Sequence, residues 1–405
     1  EEAILVAKNE ASLEELARLA ATAEIEVLDE IELRRGNIDP SYYIGRGKLA
    51  QVNKKIFAQG ANLVIFDDEL TPAQLSNLEE VLEVEVLDRT QLILDIFARH
   101  ANTKEGKLQI ELAQLEYLLP RLTGKGEELS RLGAGIGTRG PGETKLESDR
   151  RRIRKRIHAI KEKLEKVRQT REVQRQERSD PVVSLVGYTN AGKSTLLNLL
   201  TEAEVEVKDK LFATLDSTLR KIQLPIGRQV IVSDTVGFIK KLPHDLIAAF
   251  KATLEEVKES ELLIHVVDSS HDNLEQRMQV VYDVLEDLDV LDKEIITVFN
   301  KADVVDKNQL KLLQQQTPNS LAMSALTGTG KDKLLEKMSQ FVARDMLQIT
   351  AILPYEEAQW VDKLHQQGQV IEEEYKQGEI RIKAKISTKL ASQLKDYTVE
   401  SKSLI

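Results

Sequence analysis

A short glycine-containing turn follows an apolar run near the middle of the chain. The run is VVSLV at 182–186, the turn is GYTNAGKS at 187–194, and the helix-like TLLNLLT comes next. Backbone N–H groups of such a turn, together with the start of the helix, surround phosphate oxygens. The lysine of the pattern neutralises β- and γ-phosphate oxygens. We therefore predict nucleotide contacts at Gly187, Tyr188, Thr189, Asn190, Ala191, Gly192, Lys193, Ser194 and Thr195.

A second motif predicts how Mg²⁺ and the γ-phosphate are held. VIVSDTVGF is a strand-like run that ends in Asp234 and Gly237, separated by two residues. In this pattern the carboxylate holds Mg²⁺, here through water, and the glycine amide senses the γ-phosphate. The Ser194 hydroxyl of the first motif is the expected direct ligand of Mg²⁺. We predict Lys193 and Gly237 to be catalytic.

Two later motifs indicate which base is bound. IITVFNKAD ends a further strand-like run with Asn300, Lys301 and Asp303, and LAMSAL follows with Ser324 and Ala325. A carboxylate can accept hydrogen bonds from guanine N1–H and from its exocyclic amine, whereas adenine offers neither donor in that arrangement. Each later motif alone is a weak signal. Four motifs in this order, each at the end of a strand, predict a GTP site.

Length and composition limit the class of protein. With 405 residues, the chain is long enough for two to four domains. It contains no cysteine, which excludes disulfides and thiolate sites. No apolar run approaches the roughly 18 residues of a membrane span, and EEAILVAKNE does not resemble a secretory signal. The first residue is Glu1 rather than Met, so a trimmed start is expected. We predict a soluble cytoplasmic protein.

Charge is distributed unevenly along the chain. The formal net charge is −10, yet residues 131–178 contain 16 Lys or Arg against 7 Asp or Glu, a local net charge of +9. The other residues therefore carry −19. A concentrated basic stretch on an acidic protein suits a phosphate backbone. Composition leaves a solvated, charge-rich helix open as the alternative.

The first part of the chain predicts a small α/β domain over residues 1–103. Short apolar runs such as AILVA and NLVIFD alternate with helix-like stretches such as SLEELARLAATA, which indicates a parallel sheet. GRGK, at 45–48, precedes one of these helices and is a candidate for a second phosphate site. Glycines at helix starts more often serve turns, and a turn is the alternative here.

Residues 104–179 predict a helical arm. Apolar residues spaced four and three apart occur in two seams, at Leu108, Leu112, Leu115, Leu119 and Leu122, and at Ile153, Ile157, Ile160, Leu164 and Val167. Consecutive helices with matched seams predict an antiparallel, coiled-coil-like hairpin. Pro120 is expected to end or kink the first helix because proline lacks a backbone donor.

A glycine-rich segment joins the two predicted helices. Residues 124–142 hold 7 of the 20 glycines, and basic residues lie within and after this segment. Glycine allows close approach of the backbone to a ligand, so we predict RNA contacts made mainly through phosphate, not base stacking. A passive linker is the alternative. The candidate RNA-binding residues are Arg131, Arg139, Lys145, Arg150, Arg151, Arg152 and Arg154.

The last part of the chain predicts a small α+β domain over residues 346–405. LQITAILPY, GQVIEEEYK and EIRIKAKIS read as strands, and EEAQWVDKLHQQ reads as a helix between them. In the third of these runs Ile380, Ile382, Ala384 and Ile386 alternate with mostly polar residues. No motif in this domain indicates chemistry.

The chain resembles the HflX family of ribosome-associated GTPases, in the Obg/HflX superfamily of translation-factor-class P-loop GTPases. DRTQLILDIF, EGKLQIELAQLEYLLPRL, GIGTRGPGETKLE and LFATLDSTLR carry the resemblance over almost the whole chain. It implies a multidomain α/β fold, with a doubly wound, mostly parallel sheet in a GTPase domain at 180–345. It also implies docking on the large ribosomal subunit, with the arm reaching toward the peptidyl transferase centre. Splitting or rescue of stalled or idle ribosomes under stress is the implied role, with a monomer expected off the ribosome.

The resemblance also implies roles for single residues. It makes Thr214 of FATLD a catalytic residue and a ligand of Mg²⁺, placed where the first switch loop meets the γ-phosphate, with Thr218 as the alternative. It also directs a backbone amide of Ser324–Ala325 toward the guanine carbonyl. Phe238 follows Gly237 where a glutamine would orient the attacking water. We therefore predict slow intrinsic hydrolysis that the ribosome accelerates; orientation of water by another switch residue is the alternative.

Asn190 resembles an asparagine of potassium-stimulated GTPases, whose amide oxygen helps to bind a monovalent cation beside the phosphates. Such a K⁺ would add positive charge against the transition state. The alternative is that Asn190 only hydrogen-bonds the loop backbone.

Three functional hypotheses remain open at this point. A motor would couple GTP turnover to ribosome splitting, whereas a switch would use GTP only to favour the docked state. A ribosome-assembly GTPase resembling the Obg or Era proteins would bind immature particles instead.

Overall fold

The computed structural model describes residues 1–33, 38–122, 141–176, 180–201, 212, 218–241, 251–376 and 378–403. The chain forms two compact units. The first comprises Glu1–Val173, Lys208–Asp216 and Ile239–Thr253, and the second comprises Gln174–Val207, Ser217–Phe238 and Leu254–Ile405.

The first unit contains a parallel four-stranded sheet. Its strands are β1 (Glu2–Ala7), β2 (Glu26–Glu32), β3 (Leu63–Phe66) and β4 (Glu85–Asp88), in the order β2-β1-β3-β4. The helices α1 (Glu10–Thr22), α2 (Arg46–Gln59) and α3 (Pro72–Leu82) connect them. All of β3 and all but the first residue of β1 are buried, as expected for central strands covered on both faces. The predicted α/β alternation is confirmed.

The GRGK segment serves a turn and the start of a helix. Helix α2 begins at Arg46, and a side chain added at Gly45 or Gly47 would meet no atom within 4 Å. The Lys48 ammonium donates to the carbonyl of Glu32 at 2.8 Å. These contacts favour the turn over a second phosphate site.

The described residues of the first unit also form the helices α4 (Arg89–His100), α5 (Lys104–Arg121) and most of α6 (Pro141–Gln176), whose last three residues belong to the second unit. Glu105 pairs with Arg171 and Glu116 pairs with Lys161, so the start of α5 lies near the late part of α6, as in an antiparallel pair. A third ion pair joins Glu111 to Arg156. Of the ten predicted seam residues, Leu112 and Ile160 are buried and the other eight are half-buried. Helix α5 ends one residue after Pro120, as predicted.

An ionic network lies at the carboxyl ends of β3 and β4. The Asp67 carboxylate pairs with the Arg89 guanidinium at 2.6 Å and with the Lys241 ammonium at 2.5 Å. Lys241 also pairs with Asp68 at 2.6 Å, and Arg89 donates to the Lys240 carbonyl at 2.9 Å. Burial alone would raise the pKa of Asp68, but its hydrogen bonds and ion pairs lower it to about 2. Residues 240–241 are thus held at this edge of the sheet.

The second unit contains a six-stranded sheet in the order β10-β9-β8-β5-β7-β6. Its strands are β5 (Val182–Val186), β6 (Thr218–Gln223), β7 (Gln229–Asp234), β8 (Leu262–Asp268), β9 (Glu294–Asn300) and β10 (Ser320–Ala322). Only β6 runs antiparallel to its neighbour. The helices are α7 (Lys193–Thr201), α8 (Lys251–Glu259), α9 (Leu274–Asp287), α10 (Lys307–Gln316) and α11 (Lys331–Ala343). The doubly wound, mostly parallel sheet is confirmed, with Val183, Leu185, Ile264 and Val298 in its core.

An antiparallel sheet follows in the second unit, in the order β12-β13-β11-β14. Its strands are β11 (Met346–Pro354), β12 (Gln369–Lys376), β13 (Glu379–Ser387) and β14 (Thr398–Ser403), with helices α12 (Gln359–Gln367) and α13 (Thr388–Gln393) and 3-10 turns at Tyr355–Glu357 and Lys395–Tyr397. The four alternating residues predicted along β13 are all buried.

Across the described residues, no helix has the length and apolar character needed to cross a membrane.

Candidate nucleotide-binding site

The phosphate loop connects β5 to α7 and requires glycine at both ends. Gly187 has φ +155°, and a Cβ there would lie 2.3 Å from the carbonyl oxygen of Val266. Gly192 has φ +93°, and a Cβ there would lie 2.2 Å from the side-chain nitrogen of Asn300. Both positions combine a backbone conformation that favours glycine with a space that only glycine fits. The turn thus exposes backbone rather than side chains at the start of α7.

Lys193 lies inside the loop. Its ammonium donates to the carbonyls of Gly187 at 3.1 Å and Tyr188 at 2.9 Å. Burial lowers the pKa of Lys193 to about 8, and the nearby Asp234 carboxylate opposes that shift. These two hydrogen bonds hold the ammonium within the loop, and a preorganised positive charge at this position would favour catalysis.

The low pKa of Lys193 predicts a pH-dependent affinity for GDP. We expect affinity to fall as the pH rises above about 8, because the phosphate contact needs the ammonium form. In the protein without nucleotide, the free energy of unfolding changes with pH in the opposite direction. The pKa of Lys193 in the folded protein lies below its value in the unfolded chain, so the free energy of unfolding rises between about pH 8 and the unfolded pKa. Calorimetry in two buffers of different ionisation heat measures proton uptake. If GDP binding takes up the same number of protons at pH 7 and at pH 9, the lowered pKa does not belong to a lysine that contacts the phosphates.

The groups predicted to hold Mg²⁺ lie side by side. The Ser194 hydroxyl donates to a carboxylate oxygen of Asp234 at 2.7 Å, and Asp234 is buried at the end of β7. A hydroxyl and a carboxylate are oxygen ligands that suit Mg²⁺, so the residues present fit this ion. In the described ranges, no group of three or more His, Asp or Glu side chains could hold a metal ion. Mg²⁺ at a nucleotide site usually keeps several waters and binds phosphate oxygens beside one or two protein ligands. Thr214 lies outside the described residues.

The Asp234-x-x-Gly237 segment is bonded directly to the phosphate loop. Phe238 donates from its N–H to the Gly187 carbonyl at 3.1 Å, and its carbonyl accepts from the Thr189 N–H at 2.8 Å. A Cβ on Gly237 would lie 2.8 Å from the Cα of Thr189. The Phe238 side chain is buried, with 1% of its surface exposed. Its ring therefore offers no polar group to an attacking water.

One side chain joins the phosphate loop to the segment that contains Ser324 and Ala325, which the sequence predicts to contact the base. Asn300 donates from its amide nitrogen to the Ala191 carbonyl and accepts at its amide oxygen from the Ala325 N–H, both at 2.8 Å. The Lys301 ammonium pairs with Asp268 at 2.7 Å, while Asp303 is exposed. These residues come together because the carboxyl ends of neighbouring parallel strands meet at one edge of the sheet, where such sheets bind ligands.

Four family models match consecutive parts of the chain. They are GTP-binding GTPase N-terminal at 10–98, GTP-binding GTPase Middle Region at 100–178, 50S ribosome-binding GTPase at 182–301 and HflX C-terminal domain at 309–399. GTPase HflX of Caldanaerobacter subterraneus subsp. tengcongensis is 48% identical over 407 residues, covering 98% of this chain and 94% of its own. The chain belongs to the HflX family of GTPases.

Two further similarities agree with the family. GTPase HflX of Escherichia coli K12 is 44% identical over 373 residues, 91% of this chain and 87% of its own. A crystal structure of SsGBP with GDP is 28% identical, with a TM-score of 0.50, and covers 84% of this chain and 98% of its own. The chain is thus a GTP-binding P-loop GTPase that hydrolyses GTP.

The structure adds two contacts of this HflX-family site that the motifs did not include. Asp268, at the end of β8, pairs with Lys301, and the Arg277 guanidinium of α9 lies 4.7 Å from the centre of the Tyr188 ring. LLIHVVD ends in an acidic residue, as β7 does at Asp234, and this ending is the signal that could have indicated Asp268. No sequence signal indicates Arg277, because its contact depends on how α9 packs.

The basic residues of the HflX-family arm are only partly described. Arg151, Arg152 and Arg154 are exposed on α6, and Arg150 is half-buried. Lys145 belongs to α6, whereas Arg131 and Arg139 lie outside the described residues together with most of the glycine-rich segment. The three exposed arginines are available to a phosphate backbone.

Proposed function

We propose that this HflX-family GTPase docks on the large ribosomal subunit through its arm and splits or rescues stalled or idle ribosomes. The observation that carries the proposal is that Arg151, Arg152 and Arg154 are exposed on one helix of a chain that also contains a P-loop GTPase domain. Exposed arginines on an acidic protein favour a localised contact with rRNA phosphates. The likeness of residues 182–301 to the 50S ribosome-binding GTPase model supports the same partner. The cytoplasm is the proposed location.

We propose the following roles for the residues of the site. Lys193 and the Gly237 amide contact the γ-phosphate, with Thr214 as the switch residue. Ser194, Asp234 and Thr214 hold Mg²⁺, which neutralises charge on the β- and γ-phosphates when bound. We also propose that K⁺ binds beside Asn190. Five residues are proposed to bind the guanine base, namely Asn300, Lys301, Asp303, Ser324 and Ala325.

The proposed domains are 1–103, 104–179, 180–345 and 346–405. This division gives the arm its own helices and assigns all four nucleotide motifs to one domain.

The buried Phe238 ring supports slow intrinsic hydrolysis, which the ribosome would accelerate.

Gradient sedimentation with intact ribosomes tests the proposal. We expect GTP, and less so GDP, to drive co-sedimentation with the large subunit. A variant with Arg151→Glu, Arg152→Glu and Arg154→Glu should lose at least about tenfold in ribosome affinity, because each lost phosphate contact weakens binding. It should keep its affinity for GTP.

The matched control carries Lys307→Glu, Lys311→Glu and Lys333→Glu, which make the same charge change at exposed positions of α10 and α11. Equal loss in both variants would indicate a general charge effect and contradict a docking arm. Preferred binding to immature particles would favour an assembly role. Full splitting with a nonhydrolysable GTP analogue would favour a switch over a motor.

A further inference from the structure

Thr189 has a buried hydroxyl that the known motif roles do not use. It is the second variable residue of the phosphate loop, and 2% of its surface is exposed. Its Oγ1 makes no hydrogen bond with any residue that the structure describes. A buried hydroxyl without a partner lowers stability, so its presence in a well-packed loop requires an explanation.

The surroundings of Thr189 are the groups expected at the γ-phosphate. A Cβ built on Gly237 would lie 2.8 Å from both Cα and Cγ2 of Thr189. The same Cβ would lie 3.1 Å from the Lys193 ammonium nitrogen. Thr189, Gly237 and Lys193 therefore converge on one small region. The inference rests on the roles proposed above for Gly237 and Lys193.

Only the hydroxyl of Thr189 is available for a new contact. The Thr189 N–H is already donated to the Phe238 carbonyl at 2.8 Å. The atom of the Thr189 side chain that lies nearest the Gly237 Cβ position is the methyl carbon Cγ2. Rotation about χ1 from one staggered rotamer to another would bring the hydroxyl to that side of the residue. Phe238 cannot supply a polar group in its place, because its ring is apolar and buried.

We propose that the Thr189 hydroxyl is a catalytic group of GTP hydrolysis that orients the attacking water, the role a glutamine after Gly237 would have. A hydroxyl can accept a hydrogen bond from water and donate one to a γ-phosphate oxygen at the same time. The water oxygen forms a bond to the γ-phosphorus, and the bond from that phosphorus to the β–γ bridging oxygen breaks. The proton of the water ends on the phosphate product, and Thr189 keeps its own proton.

Two substitutions separate the hydroxyl from the shape of the side chain. Thr189→Val keeps the branched shape without the hydroxyl, and Thr189→Ser keeps the hydroxyl without the methyl group. In single-turnover assays with excess protein and no ribosomes, Thr189→Val should hydrolyse GTP about 100-fold more slowly. Thr189→Ser should retain most of the rate.

The other readouts distinguish catalysis from structure. Thr189→Val should keep GDP affinity, and its thermal midpoint should be equal or higher, because a buried unpaired hydroxyl is removed. Thr297→Val, at an equally buried threonine of β9, is the matched control and should keep the rate. A wild-type rate in Thr189→Val, an equal loss in the serine variant, or a parallel loss of GDP affinity would overturn the proposal. Absence of hydrolysis by the unmodified protein would instead contradict its GTPase function.

Discussion

Asp303→Asn should exchange the nucleotide that this GTPase prefers, from guanine to xanthine. In the proposed site the Asp303 carboxylate would accept hydrogen bonds from guanine N1–H and from its amine, whereas an amide presents one acceptor and one donor. Xanthine carries a carbonyl where guanine carries the amine, so it matches the amide. We expect a change in the GDP to XDP affinity ratio on the order of 10⁴-fold, since unpaired polar groups penalise the wrong base strongly.

Calorimetric titration with GDP and XDP measures this ratio. Asp303 is exposed, so its replacement should leave the fold intact. Asp332→Asn, an equally isosteric change at an exposed aspartate in the first turn of α11, is the control and should keep the preference for GDP. An Asp303→Asn variant that still prefers GDP would remove Asp303 from base recognition.

Gly237→Ala should abolish hydrolysis while GDP binding persists. The added Cβ would lie 2.8 Å from the backbone Cα of Thr189 and 3.1 Å from the Lys193 ammonium, and a backbone atom cannot rotate away. We expect the segment to retreat from the phosphate loop, which would remove the proposed contact of the Gly237 amide with the γ-phosphate. Loss of one such donor slows phosphoryl transfer by about 100-fold or more. GDP lacks the γ-phosphate, so its affinity should change little.

Single-turnover assays measure the loss of the hydrolysis rate, and titration with GDP measures whether the affinity for GDP is retained. Gly47→Ala is the matched control, because a Cβ there meets no atom within 4 Å and the residue lies inside helix α2. That change should raise stability by about 0.5–1 kcal/mol without altering hydrolysis. Hydrolysis at the unmodified rate by Gly237→Ala would show that this glycine does not sense the γ-phosphate.

The parts of the fold that follow from local pattern were predictable. The alternation along β13 identifies its buried face, and the VVSLV run before Gly187 identifies a central strand. The four motifs were predictable as a set, because strand ends of a parallel sheet meet at one edge. The seams of the arm were only part of its packing, since α5 also buries Gly106, Gln109 and Tyr117 on a second face. A buried glutamine carries no hydrophobic signal.

Contacts between segments distant in sequence could not be predicted. The pairing of Lys241 with Asp67 and Asp68 depends on where a later segment meets the first sheet, and charge alone does not specify it. Phe238 was predictable as a residue unable to orient water. Its burial, and the bonding of its backbone to the phosphate loop, required the three-dimensional structure.

The two hydrogen bonds of Asn300 have a thermodynamic consequence. One amide group bridges Ala191 in the phosphate loop and Ala325 in the segment proposed to contact the base, so order at either end should restrain the other. We expect a ligand in one half of the pocket to reduce the conformational entropy cost of binding in the other half. By thermodynamic reciprocity, this coupling is equal in both directions. Guanosine and pyrophosphate, added as separate fragments, should therefore bind cooperatively.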